Sequence, residues 1–501
     1  MGWWQAMQDK VRDRLRSFLD IQPPEVRTFT VPGELDWAGN CIMNRLWYRG
    51  QAGELEQFWK QVPGASARRR FWAAVPTTGR EIEKIHVGIP ATIVDTLANI
   101  VVSDLQQITV DDKHAEAAWD EMADENGLLD LVSDAVTETL VIGDGAFRIS
   151  IVPEVSAFPV IEFIPGDRCE FEYERGRVKE VRFLTEVVDG TRRLALVERY
   201  GRGYIRTSLE ERGREVPLDT VAEYADVPPE VTWDGGFMMA VPLRFFPSKL
   251  WPGRGGSAFD TRSGNFDALD ECWSQWMDAL RKARTKEYVP ERLLPRDPRT
   301  GAPIMPNPFD NAYIRVESTM AEGASDKVEV VQPEIAHESY IQTYTNALDL
   351  CLQGLVSPAT VGIDVKKLDN AEAQREKEKV TLYTRNQIVA KLQKALPLLV
   401  EAAVNAWQTQ QGLALTECSV DVEFGEYANP SFESMVETVG KARVQGIMSI
   451  EAAVDELYGD SRDEEWKVAE VERLKAERGI SEARPAGGMS WADILGAGGG
   501  E

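Results

Sequence analysis

In the segment 264-GNFDALDECWSQWMDALRKARTK-286, apolar residues recur at alternating steps of three and four. This spacing puts them on one stripe of a helix. The stripe consists of Phe266, Leu269, Trp273, Trp276 and Leu280. Acidic residues stand near the start of the segment and basic residues at its end, which complements the helix dipole at both termini. Spacing and charge therefore both predict a helix over residues 264–286.

A proline-rich insert follows this helix. Because six prolines fall within residues 290–308, this part cannot be helical and is predicted to form turns and short strands. Helix resumes near Glu334 and is predicted to end before Gly354 and Pro358. Its apolar face consists of Ile341, Tyr344, Leu348 and Leu352. Two helices thus bracket the insert.

A short loop, residues 357–370, leads into the longest helical pattern of the chain, residues 371–411. Its buried side is predicted to consist of Ile388, Leu392, Leu396, Leu399, Ala403 and Trp407. At ~1.5 Å per residue this helix would be roughly 60 Å long, which is more than a small globular core needs. Pro397 lies inside it and predicts a kink or a break there.

Upstream of the helix pair, helices come first and strands second. Residues 1–70 are helical in pattern and rich in aromatic residues, which we expect to be buried against the body of the protein. Helices are predicted over 84–105 and over 114–142, the second broken at Asn126-Gly127. Alternating strands run from residue 146 to residue 209, with a last strand over 238–246. Helices followed by an antiparallel β region indicate an α+β fold.

Two further regions flank the central helices. The glycine-rich segment 251–257 is predicted to be a flexible connector, because it lacks the phosphate-binding pattern Gly-x-x-x-x-Gly-Lys-Ser/Thr. After the long helix, residues 418–424 alternate as a strand, and helices are predicted over 431–445, 449–457 and 463–477. Residues 481–501, rich in Gly, Ala and Pro, are predicted to be disordered.

The composition indicates a folded protein with more than one structural unit. Of the 501 residues, 43% are hydrophobic and 28% are charged. The 56 basic and 82 acidic residues give a net charge of −26, which argues against a protein that grips phosphates over a broad surface. Five widely spaced cysteines indicate neither a disulfide framework nor a zinc site. No apolar stretch reaches the ~18 residues of a membrane-spanning helix.

Residue types that carry catalysis or hold cofactors are sparse. The three histidines, His86, His114 and His337, are not spaced for metal ligation, and the first two are interpreted as helix-face residues. No nucleophile elbow, metalloprotease motif or dinucleotide fingerprint occurs. The arginine run 68–70 precedes two aromatic residues and allows nucleic-acid contact, although a solvated or subunit-paired face is the favoured interpretation. We therefore predict no catalytic activity, no cofactor and no metal.

The order of these features resembles the portal proteins, the head-to-tail connectors of tailed double-stranded DNA bacteriophages. The resemblance covers about residues 35–479 and is carried by the order helix, insert, helix, loop, long helix, together with five short segments. These segments are 84-KIHVGIP-90, 140-LVIGDGAF-147, 368-LDNAEAQRE-376, 446-GIMS-449 and 457-LYGD-460.

The resemblance implies a portal-protein fold with wing, stem, clip and crown regions that assembles as a ring. The wing would comprise residues 1–262 and, with a long kinked helix and a strand, residues 371–428. The stem helices would be 263–287 and 334–356, and the clip between them 288–333. The tunnel loop would be 357–370, the crown 429–480 and the disordered tail 481–501.

The resemblance also implies a function and partners. Twelve copies would form a ring at one capsid vertex of the virion, after synthesis in the bacterial host cytoplasm. The ring would be the channel for double-stranded DNA during packaging and ejection, and the platform for the terminase large subunit and a head-tail adaptor protein. Major capsid and scaffolding proteins would be further partners, and a membrane would not. Lys366 and Lys367 would be the DNA-facing bases of the tunnel loop, with a solvated face beside Asp364, Asp369 and Glu372 as an equal alternative.

Two other interpretations stay open. One is a cytosolic α+β enzyme that acts on a small molecule at a site in the β region 143–246. The other is a minor capsid or scaffolding adaptor that binds its neighbours and encloses no channel. Formation of a ring with an open bore would distinguish the portal interpretation from both.

Overall fold

The computed structural model describes residues 35–63, 70–75, 82–283, 286–290, 294, 296–302, 304, 313–316, 329–331, 334–362, 371–416, 418–425, 432–458 and 464–477. The chain divides into two compact units, Met1–Gly425 and Glu426–Glu501. The first unit contains a mixed helical and β body, a pair of helices with an insert between them, and the longest helix described. The described part of the second unit is helical.

Helices open the described part of the first unit. They are α1 (Trp37–Arg49), α2 (Ala52–Gln61), α3 (Ile89–Ser103), α4 (Lys113–Glu125) and α5 (Leu128–Ile142). Trp47, Trp59 and Trp72 are fully buried, so the predicted burial of the N-terminal aromatic residues is confirmed for these side chains. Each indole removes roughly 150–250 Å² from water, which makes it a main source of hydrophobic stabilisation. Trp3 and Trp4 lie outside the described residues.

The strands of the body form antiparallel sheets, which agrees with the predicted α+β class. They are β1 (Leu105–Val110), β2 (Asp144–Ser150), β3 (Val160–Pro165), β4 (Cys169–Glu174), β5 (Arg177–Asp189), β6 (Arg192–Gly201), β7 (Tyr204–Glu211), β8 (Arg214–Val216), β9 (Glu230–Thr232), β10 (Ala240–Arg244), β11 (Phe246–Pro247) and β12 (Gly255–Gly256). One sheet has the order β10-β2-β3, and another has the order β4-β5-β6-β7-β8 with β9 paired to β7.

The predicted helix pair consists of α6 (Ser263–Lys282) and α7 (His337–Leu352), and the long helix is α8 (Ala371–Gln410). Between α6 and α7 lie β13 (Lys286–Pro290), β14 (Tyr313–Val316) and β15 (Glu329–Val331), in the segment predicted to form turns and short strands. After α8, β16 (Val420–Phe424) pairs antiparallel with β1. The predicted buried side of α8 is confirmed from Ile388 to Ala403, and Trp407 is half-buried.

One local prediction about helices is wrong, and of the two alternatives predicted at Pro397, a kink or a break, one is excluded. The helix predicted from residue 84 begins at Ile89, because Gly88 has a left-handed φ of 79° that ends the helical path on its N-terminal side. The predicted break at Pro397 does not occur, since α8 is assigned as helix through this residue. Leu396 and Leu399 are fully buried on either side of the proline, and this burial offsets the roughly 3 kcal/mol that a proline costs inside a helix. A kink at Pro397 stays a prediction.

The second unit contains three helices in its described part, close to the predicted bounds. They are α9 (Phe432–Val444), α10 (Ile450–Tyr458) and α11 (Glu464–Glu477). The Tyr458 and Trp466 rings pack edge to face with centroids 4.8 Å apart, and Lys467 pairs with Asp455 at 2.9 Å, so α10 and α11 contact each other. The predicted disordered tail, 481–501, lies outside the described residues.

Candidate functional site: the α6–α7 helix pair

The two helices of the pair run antiparallel. At one end, Arg262 Nη2 donates a hydrogen bond to the Gln353 carbonyl at 3.0 Å. Farther along, the Trp276 ring stacks on Tyr340, with centroids 6.0 Å apart and planes 8° from parallel. Residue numbers therefore rise along α6 while they fall along α7, and the insert lies at the end of the pair that is remote from Arg262.

Burial differs between the two ends of the pair. Near the body, Phe266 and Leu269 of α6 and Leu348 and Leu352 of α7 belong to the main hydrophobic core. Towards the insert the pair is held by aromatic rings, and Trp273 lies 5.4 Å from Tyr344 between centroids. These rings are only half-buried. The end near the insert is therefore packed mainly within the pair itself.

Large apolar side chains remain exposed on the outside of the pair. Leu280 of α6 is 42% exposed, and Ile341 and Leu350 of α7 are 43% and 51% exposed. Single exposed leucines are ordinary on a protein surface. This helix pair instead carries three large exposed apolar side chains beside half-buried tryptophans, so it presents apolar surface to water along its length.

The insert carries a three-stranded sheet in the order β14-β13-β15. β13 starts four residues after the end of α6, pairs parallel with β14 and pairs antiparallel with β15. β15 in turn stands six residues before the start of α7. The sheet therefore lies in the insert next to the C-terminal end of α6 and the N-terminal end of α7.

Beside its core residues, α6 also carries buried polar side chains that accept hydrogen bonds from the main chain of two extended segments. We call this set, Asp267, Asp270 and Ser274, the polar seam. Asp267 Oδ2 accepts from the Phe71 N–H at 3.0 Å, and Ser274 Oγ accepts from the Ile85 N–H at 2.9 Å. The seam residues are spaced three and four apart, so one helix face ties residues 70–75 and 82–88 to α6.

Asp270 is the centre of the polar seam. Its Oδ1 accepts from the Val87 N–H at 2.9 Å, and its Oδ2 lies 2.7 Å from His86 Nδ1. Both side chains are almost completely buried, and the other imidazole nitrogen of His86 has no hydrogen-bond partner among the described residues. Burial raises the pKa of Asp270, against the lowering effect of His86. Burial likewise raises the pKa of Asp267 to about 6.

The interpretation of His86 as a helix-face residue is wrong, because residues 82–88 precede α3 and the ring is buried against Trp47 and Trp72. The same interpretation is confirmed for His114, which lies on α4 with its ring edge-on to Trp407 at 5.6 Å. Sequence reasoning also missed the role of Asp267 and Asp270, since it assigned them to the helix dipole. Their spacing on one face of α6 was the available signal.

The glycine-rich segment before α6 is anchored, so the prediction of a flexible connector is wrong. Arg254 Nη2 pairs with Asp144 Oδ1 at 2.9 Å, and the Gly255 N–H donates to Asp144 Oδ2 at 2.6 Å. The guanidinium carbon of Arg254 also lies 4.2 Å from the centre of the Trp37 ring. Burial raises the pKa of Asp144 to about 6 although Arg254 opposes the shift. A buried ion pair therefore fixes the start of the helix pair to β2.

The predicted DNA-facing residues Lys366 and Lys367 lie outside the described residues, as does the rest of segment 363–370. The first part of the predicted tunnel loop is described and packs on α8. There, the Ser357 N–H donates to Thr381 Oγ1 at 2.9 Å, and the hydroxyls of Thr360 and Thr381 are 2.9 Å apart. The arginine run is described only at Arg70, whose guanidinium stacks 4.5 Å from the centre of the Trp59 ring.

The described residues offer no cluster of three or more His, Cys, Asp or Glu side chains that could hold a metal ion. All five cysteines, each of them within the described ranges, are free thiols. Across the same ranges, helices that combine the length and the apolar character needed to cross a bilayer are not found.

Comparisons with known proteins give weak structural similarities only. No family model and no curated protein matches the sequence. Among solved structures, a chain in the neck of a native GTA particle computed with C12 symmetry is 13% identical, with a TM-score of 0.40 over 77% of this chain and 90% of that one. A chain of the virion of the native gene transfer agent (GTA) particle is 14% identical, with a TM-score of 0.37 over 76% and 89%. A chain in the neck of an empty GTA particle computed with C6 symmetry is 12% identical, with a TM-score of 0.39 over 74% and 90%.

Proposed function

We propose that this protein is the subunit of a portal ring, the channel through which double-stranded DNA enters and leaves a phage-type capsid. The observation that carries the proposal is the course of the chain through α6, the β insert, α7, a loop and the 40-residue helix α8. In this proposal α6 and α7 are the stem, the insert is the clip, and segment 357–370 is the tunnel loop. Segments 1–262 and 371–428 form the wing, and 429–480 the crown.

The surfaces of the helix pair support assembly. Leu280, Ile341 and Leu350 are exposed in the single chain, and contact with a neighbouring copy would remove them from water. A closed cyclic arrangement gives every copy the same two neighbours, so no such surface is left over. The proposed number of copies is twelve.

The charge of the chain supports passage of DNA instead of tight binding. With a net charge of −26, most of a channel built from this chain would repel phosphates, so that a duplex could slide. Lys366 and Lys367 are proposed as the few bases that contact it, and such contacts weaken with rising salt.

The proposed ring has no catalysis of its own, and the energy for packaging comes from a separate terminase that docks on the clip. After packaging, a head-tail adaptor takes the same surface, while major capsid and scaffolding proteins contact the wing. The protein would therefore belong to the portal vertex of the virion. These partners follow from the proposed role of each segment.

Negative-stain electron microscopy and mass measurement of the purified full-length protein, at low and high salt, test the proposal. We expect rings with a central hole wide enough for duplex DNA and a mass that is an integer multiple of the 56.0 kDa chain. Oligomers without a bore would instead favour a capsid or scaffolding adaptor. A monomer at every salt concentration would contradict both interpretations and favour the enzyme interpretation.

A further inference from the structure

A cavity of about 450 Å³ lies between the second half of α8 and the chain around β10. Its walls combine polar and apolar surface, and the apolar part includes Phe237, Met238, Val241, Leu398 and Leu415. This volume falls within the roughly 300–1,000 Å³ that is usual for pockets that bind small ligands. The cavity lies within the first unit, and all the residues that line it are described.

One polar side chain in this cavity lacks a partner. Asn405 of α8 is 8% exposed and lines the cavity, yet its carboxamide makes no hydrogen bond with the described part of the chain. The amide atoms of Asn405 keep some contact with solvent, whereas the indole N–H of Trp47, which also lacks a partner among the described residues, is fully enclosed. Water can reach this amide through the cavity, so a ligand that pairs with it replaces that water with hydrogen bonds of its own.

The rim of the cavity carries two charges of opposite sign. Arg202 and Glu401 both line it, both are exposed, and neither has an ion-pair partner among the described residues. A phosphate-bearing ligand would meet the Glu401 carboxylate, and a strongly cationic ligand would meet the Arg202 guanidinium. The rim therefore favours a ligand without net charge.

We propose that this cavity binds a short apolar peptide segment of a partner protein, with Asn405 pairing to one of its peptide groups. A carboxamide offers a donor and an acceptor side by side, and a peptide group offers the complementary pair. The side chains of the segment would contact the apolar part of the walls, and neither Arg202 nor Glu401 would repel its uncharged backbone. The proposal does not depend on ring assembly, because the cavity lies within a single chain.

Two matched probes test the amide recognition, N-isopentylacetamide and its ester isostere isopentyl acetate. They differ in one N–H group, which only Asn405 Oδ1 is proposed to accept. Binding to the full-length protein is measured by saturation-transfer NMR titration. We expect the amide to bind about 5- to 10-fold more tightly than the ester, the value of one neutral hydrogen bond.

Variants test whether Asn405 causes the preference for the amide over the ester. Asn405→Leu should bind both probes equally, and Asn405→Ala, which cannot overfill the cavity, should do the same. Gln393→Leu replaces an exposed carboxamide on the same helix outside the cavity and should keep the wild-type preference. Absence of binding to the wild type, equal binding of the two probes to the wild type, or an amide preference that survives in both Asn405 variants would overturn the proposal.

Discussion

Replacing Asp270 by Asn should loosen the segment 82–88 on the polar seam of α6. The carboxylate is 1% exposed and accepts from the Val87 N–H at 2.9 Å, while its other oxygen lies 2.7 Å from His86 Nδ1. With the His86 proton on Nδ1, the amide of the variant, which has only one oxygen, leaves either this N–H or the Val87 N–H without an acceptor. Because residue 270 is buried, no water molecule can take the place of the lost acceptor.

The size of the effect follows from the cost of a buried unpaired donor, which is about 1–3 kcal/mol. Burial raises the pKa of Asp270, which means that the carboxylate is already disfavoured at this position. Removing its charge recovers part of that cost and puts the expected loss towards the lower end of the range. Local opening of segment 82–88 should accordingly become at least about 5-fold more frequent.

Hydrogen-exchange mass spectrometry on peptides that cover residues 82–88 measures this opening directly. The matched control is Glu271→Gln, since Glu271 is the next residue on α6, is exposed and, within the described part of the chain, accepts only from Gln275 at 2.9 Å. We expect faster exchange in Asp270→Asn and wild-type exchange in the control. Unchanged exchange in Asp270→Asn, or equal acceleration in both variants, would refute the role of the seam.

Three further predictions concern pH, packing and assembly. The pKa values of Asp144 and Asp267 are about 6 in the folded chain and near 3.8 in the unfolded chain, so the folded state binds more protons between these pH values. The free energy of unfolding should therefore rise by about 1–3 kcal/mol as pH falls from 7 to 5. A thermal unfolding midpoint that falls over this pH range would contradict the prediction. Gly255→Ala should destabilise the chain by about 1–3 kcal/mol in chemical denaturation, because its Cβ would overlap the main-chain carbonyl of Gly143. Gly264→Ala on α6 should not destabilise it, because its Cβ would meet only Arg70 Nη1 at an ordinary contact distance of 3.9 Å. Ile341→Asp should reduce the mass of any assembly measured by mass photometry without lowering the unfolding midpoint of the single chain, since the residue is 43% exposed there; assemblies of wild-type mass would exclude Ile341 from the interface.

Much of the secondary structure could be predicted because its signals are local. The periodic apolar residues of α6 and α8 place both helices within about a turn of their observed ends, and the break at Asn126-Gly127 separates α4 from α5 as expected. Strands β4 to β7 also lie where alternation predicts them. Patterns of this kind depend only on residues a few positions apart, so they can be recognised without knowledge of the tertiary structure.

Features that join distant residues were missed. β1 was not predicted as a strand, because its partner β16 lies about three hundred positions later and supplies the ladder that makes it one. Asp270 and His86 are 184 positions apart, so nothing in the sequence distinguishes this pair from a dipole-directed acid and a helix-face histidine. Likewise, no local pattern around Arg254 predicted that it would anchor the glycine-rich segment to Asp144, which lies 110 positions earlier.

The sequence by itself determined the order of the elements, the α+β class, the acidic charge and the helix, insert, helix, loop, long helix course on which the proposed function rests. Only the tertiary structure decided which polar groups are buried and what they pair with. The physical reason is that a helical or alternating pattern is encoded by neighbours in the chain. The burial of a carboxylate such as Asp270 is decided by the distant segments that exclude water from it.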